Sequence, residues 1–85
     1  MSAAFTLIQI CELSGLDEPT VTRYVEREWL RPVTRSKWDQ EDLARIRFIV
    51  ELQQEFGANE EAIPIILHLV DQIHYFRGRM QDLAK

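Results

Sequence analysis

Apolar residues recur at helical spacing in four runs, separated by Gly and Pro. In the first, Leu7, Ile10, Cys11 and Ser14 follow i, i+3, i+4, i+7. Thr6 stands ready as N-cap and Gly15 as a left-handed stop, which predicts a helix over 7–14. Asp17 caps the next run, with Glu18 and Pro19 in its first turn and Val21, Tyr24 and Val25 as its buried face, running to about Glu28. Pro32 then stops any helix and pushes Arg31 toward extended geometry. Val33 to Trp38 predicts a very short hairpin tipped by Thr34-Arg35-Ser36. Asp39 caps a third helix whose stripe is Leu43, Ile46, Ile49, Val50, Leu52 and Phe56, with Gly57 as its stop. The last run opens on Asn59-Glu60-Glu61, and Pro64 moves the expected helix start to Ala62 or Ile63. From there Ile63, Ile66, Val70, Ile73, Phe76, Met80 and Leu83 form a seam close to the heptad period. It is longer than an 85-residue core requires.

These elements make an all-α fold with a minimal β wing. Residues 1–58 are expected as a winged helix-turn-helix and 59–85 as a C-terminal helix of the same single domain. Eighty-five residues support one small core, and 46% hydrophobic against 28% charged residues is an ordinary globular balance.

Candidate chemistry is sparse. Cys11 is the one cysteine, so the chain has neither an internal disulfide nor a thiolate zinc set. His68 and His74 are six apart, which is the wrong spacing to chelate from one helix. No glycine-rich phosphate loop or paired nucleophile and base is present. Glu60-Glu61 is explained by the dipole of a helix start. The reading is a non-enzyme without cofactor or metal. The N-terminal stretch lacks a signal-peptide pattern, and no apolar run reaches about 20 residues, so a cytoplasmic protein with no membrane contact is expected.

Charge changes the picture more. Ten Lys+Arg stand against 14 Asp+Glu, a net −4, whereas proteins that hold nucleic acid by its phosphates usually carry a basic excess. Residues 17–28, the expected recognition helix, hold four acids (Asp17, Glu18, Glu26, Glu28) against Arg23 and Arg27. The bases Arg31, Arg35 and Lys37 cluster about the wing, and the window 23–47 has seven bases against five acids. An acidic helix suits a basic partner. The basic wing keeps a DNA-contacting alternative through Arg23, Arg27, Arg35 and Lys37. Trp29 and Trp38 flank the wing, either as core plugs that seat it or, for Trp38, as an exposed interface anchor.

Thr6-Leu7, Gly15-Leu16-Asp17, Tyr24, Leu30-x-Pro32 and Asp42-Leu43-x-x-Ile46-x-Phe48-Ile49, in that order, resemble the MerR-like winged helix-turn-helix domain over residues 5 to about 75. The Arg-Tyr-Tyr-Glu run of DNA-binding members is here Thr22, Arg23, Tyr24 and Val25, and the glycine usual before the wing is Glu28. Trp38-Asp39, Leu52-Gln53-Gln54-Glu55 and Ile63-x-x-x-Leu67-x-Leu69-x-Asp71-x-Ile73 are similar to a subgroup, the chaperone modulatory protein CbpM family. That resemblance implies a protein that binds the J-domain of a DnaJ-type co-chaperone and inhibits its action on Hsp70. Charge and position nominate Glu26, Glu28, Trp38, Asp39, Glu51 and Glu55 as its contacts. The wider resemblance implies a homodimer through Ile66, Val70, Ile73, Phe76 and Met80. The alternative it leaves is a MerR-like transcriptional regulator bound to DNA.

Overall fold

The computed structural model describes residues 4–34 and 36–83. Among them the chain forms α1 (Leu7–Ser14), α2 (Glu18–Glu26), α3 (Gln40–Gln54) and α4 (Ala62–Leu83). Local chemistry sets most of these boundaries. The Thr6 hydroxyl accepts from the Gln9 N–H at 3.2 Å while the Gln9 side chain accepts from the Thr6 N–H at 2.9 Å, a reciprocal capping box. Gly15 (φ +76°) ends α1 and donates to the Cys11 carbonyl. The Asp17 carboxylate accepts from the Thr20 N–H at 2.9 Å. Asp39 and Asp42 form a second reciprocal box at the start of α3. At α4 the Asn59 carboxamide oxygen accepts from the Ala62 N–H at 2.8 Å. Pro64 is the third residue of that helix, where the missing N–H would have had no intrahelical partner.

α2 ends two residues earlier than the sequence predicts, because Glu28 turns left-handed (φ +61°). Its N–H reaches the Val25 carbonyl, and the Trp29 N–H returns to Tyr24 at 2.9 Å. A side chain in that conformation crowds its own backbone, which glycine avoids. Glu28→Gly is therefore expected to stabilise the fold by roughly 0.5–1 kcal/mol, the relieved strain being partly offset by the freer unfolded chain. Urea denaturation followed by circular dichroism reads the change.

Of the predicted hairpin, whose tip residue Arg35 lies outside the described residues, the described residues show one bridge, between Thr34 and Lys37. The stronger pairing is one the sequence did not announce. Phe5 and Trp38 exchange both backbone hydrogen bonds, at 2.6 and 2.9 Å, tying the chain before α1 to the chain before α3. Around that tie lies the core. Ile10 of α1, Val21 and Tyr24 of α2, Leu43, Ile46 and Ile49 of α3, and Ile63 and Leu67 of α4 are buried with Trp29, Leu30 and Trp38. The Tyr24 hydroxyl, at the core edge, donates to the Gln53 side chain at 2.9 Å. Phe56, expected on the α3 stripe, lies beyond the helix end and is 72% exposed.

Trp38 is 2% exposed, which corrects its nomination as a partner contact. With its backbone held by Phe5, its indole belongs to the core cluster and presents no surface for another molecule. The core-plug alternative holds for both tryptophans, Trp29 being 4% exposed.

Candidate interaction surfaces

Two surfaces stand out: the outer face of the helix-turn-helix and the free half of α4. On the first, three of the bases in the window 23–47 are engaged within the fold. Arg27 pairs with Glu60 at 2.6 Å and stacks 5.4 Å over the Trp29 ring, joining the end of α2 to the loop before α4. Arg45 donates from Nε to the Trp29 carbonyl at 2.6 Å and grips Asp71 with both terminal nitrogens, at 2.8 and 3.2 Å. One guanidinium thus clamps the α2–wing turn, α3 and α4. Arg47 donates to the Leu13 carbonyl at 3.4 Å.

Of the residues nominated for DNA, Arg23 and Lys37 are exposed and have no ion-pair partner among the described residues, Arg27 is paired, and Arg35 lies outside the described residues. Of those nominated for a protein partner, Glu26, Glu28, Glu51 and Glu55 are exposed. The Tyr24–Gln53 bond links the two helices that carry or adjoin them. Asp39 is half-buried and occupied as the cap of α3, so its role is structural first. Hydrogen bonds from Thr20 hold the Asp17 carboxyl, the cap of α2, below its ordinary range. Burial, with the neighbouring Asp39 carboxylate, raises Asp42.

The hydrogen bonds from Arg45 lower Asp71 from its ordinary value of 3.8. A depressed carboxyl contributes stability that is present above the unfolded value and is lost as pH falls through the folded one. Asp71→Asn is expected to be less stable than wild type at neutral pH, by less than about 1 kcal/mol for so exposed a pair. The two proteins should converge as pH drops below 3.8, which acid titration of ellipticity checks.

On the second surface, every residue from Asp71 to Leu83 is exposed. Ile73 (53%), Phe76 (57%) and Met80 (69%) form an exposed apolar stripe, while Ile66 and Val70 are half-buried nearer the core. Leu69 (57% exposed) belongs to the stripe, although the seam expected from the sequence leaves it out. A heptad count starting at Ile66, rather than at Ile63, would have found it. Tyr75 packs edge-on against Phe76, ring centres 5.5 Å apart, and carries Arg79 at 5.9 Å.

Among the described residues no group of three or more His, Cys, Asp or Glu is placed to hold a metal ion. No helix among them is long and apolar enough to cross a membrane.

The α1–turn–α2 unit, the short wing and the long last helix define a winged helix-turn-helix domain. The family model described as MerR HTH family regulatory protein matches residues 5–85, and the chain belongs to that family. None of the curated proteins matches the sequence.

Proposed function

We propose that this chain is a protein-binding member of the MerR family, without chemistry or cofactor of its own. In this reading it offers the acidic end of α2 to the J-domain of a DnaJ-type co-chaperone and inhibits that domain's action on Hsp70. It works in the cytoplasm as a homodimer joined through α4. The observation that carries the reading is the Arg27–Glu60 pair at 2.6 Å. It neutralises one of only two bases on the recognition segment, so Glu18, Glu26 and Glu28 face solvent against Arg23 alone. Such a helix is repelled by phosphates and attracted by the basic helix that J-domains use to dock on Hsp70. The CbpM-like residues of the sequence give the partner its name.

A second reading, a DNA-binding regulator, is favoured by exposed Arg23 and Lys37 and by the family itself. Charge reversal separates the two. Glu26→Lys with Glu28→Lys is expected to weaken J-domain binding about tenfold and to strengthen binding to generic duplex DNA. Unchanged J-domain affinity in that variant contradicts the proposal.

A further inference from the structure

We propose that the groove between α3 and α4 binds a small zwitterion with an apolar body, an apolar amino acid or short apolar peptide, with its carboxylate on Arg31 and its ammonium on Glu41. The groove has a volume of about 930 Å³, within the range of small-molecule sites. It lies on the side of α4 that carries Val70, Asp71 and His74, away from the exposed stripe of Ile73, Phe76 and Met80.

Its ionic lining divides into groups already engaged and groups left over. Arg45 is committed to the Trp29 carbonyl and to both oxygens of Asp71. Asp42 is half-buried and accepts from the Asp39 N–H at 3.0 Å. Arg31 and Glu41 line the same groove and are exposed, and neither makes a side-chain hydrogen bond or ion pair among the described residues. One cation and one carboxylate therefore remain to meet a ligand. They are close to a common point. The charges of Arg31 and His74 both act on the Asp71 carboxyl, Arg45 grips that carboxyl, and Glu41 stands one helical turn before Arg45.

The floor is apolar. Phe48 and Val70 are half-buried along it, and Ala44 lies between Glu41 and Phe48 on the same face of α3. Its methyl group leaves open a space that a larger side chain would fill. The two free charges select among small molecules that could lie on this floor. A simple anion would meet Glu41 and Asp42 as well as Arg31, and a simple cation would meet Arg31 beside those acids. A molecule carrying both charges matches each group with its opposite.

Calorimetric titration of the full chain tests the site with four probes. L-phenylalanine and its dipeptide carry both charges at two separations, phenylpropionate lacks the ammonium and phenethylamine lacks the carboxylate. At least one zwitterion is expected to saturate with a Kd of about 1 mM or tighter, a scale suited to so small a ligand. Each single-charge analogue should bind about tenfold more weakly. The tighter of the two zwitterions identifies free amino acid or peptide as the source. Arg31→Gln and Glu41→Gln, both at exposed positions, should each weaken binding about tenfold with an unchanged circular dichroism spectrum. Ala44→Leu, also exposed and favourable to a helix, should abolish binding by filling the groove. Saturation by neither zwitterion up to about 10 mM overturns the inference. So does phenylpropionate or phenethylamine binding as tightly as the zwitterion, or wild-type affinity in any of the three variants.

Discussion

Replacing Trp38 by alanine is expected to destabilise the fold by about 3–5 kcal/mol, as large aromatic-to-alanine changes in a core do. A domain of this size has a total stability of roughly 5–15 kcal/mol, so much of the protein should be unfolded at physiological temperature. The site explains the size of the effect. The indole is 2% exposed, and the peptide groups of Trp38 hold Phe5 at 2.6 and 2.9 Å, so the cavity opens where the two ends of the helix-turn-helix are tied. Trp38→Phe keeps most of the apolar volume and should cost less than half as much. Thermal unfolding of the two variants, followed by circular dichroism, gives the comparison. An interface anchor would behave in the opposite way, with alanine leaving the melting temperature intact and abolishing partner binding.

Phe76→Glu is expected to dissociate the proposed homodimer. Phe76 is 57% exposed and distant from the core, so the substitution leaves the fold of each chain untouched. In a two-fold assembly it appears twice, and each carboxylate enters an apolar layer without a partner. At about 2 kcal/mol per buried unsatisfied group the loss is roughly 4 kcal/mol, close to three decades in the dissociation constant. Sedimentation velocity at micromolar concentration should show the wild type as a dimer and the variant as a monomer with an unchanged circular dichroism spectrum. A variant that stays dimeric would place the interface elsewhere than the α4 stripe.

The features that were legible in the sequence are those written over three or four residues. The caps Thr6, Asp17 and Asp39 and the stop Gly15 bond to neighbours along the chain, and α1 and the starts of α2 and α3 fall where those residues place them. The start of α4 at Ala62 follows from Asn59 and Pro64 in the same way. Features that depend on distant residues were not legible. Arg27 meets Glu60, Arg45 meets Asp71 and Phe5 pairs with Trp38 across the fold. Composition alone therefore counts Arg27 as a cation available to DNA and Glu60 as a helix-start acid. Trp38 could be placed on either side of the wing until its partner strand was known. The early end of α2 was hidden for another reason: glutamate gives no signal of a left-handed turn, and Glu28 adopts one against its own preference.

The acidic balance of the chain gains its meaning from those distant pairs. A net charge of −4 disfavours phosphates only mildly. The neutralisation of Arg27 by Glu60 leaves that bias stronger on the helix that would enter a groove of DNA. In the proposed reading, a fold of the MerR family here faces a basic protein instead of nucleic acid. Calorimetric titration of the wild-type chain at low salt, with an isolated J-domain in one series and generic duplex DNA in the other, tests it most directly. Saturable binding of one J-domain per chain, weakening as salt is added, and no heat with DNA are expected. Binding to DNA with a steep salt dependence, and none to the J-domain, would contradict it.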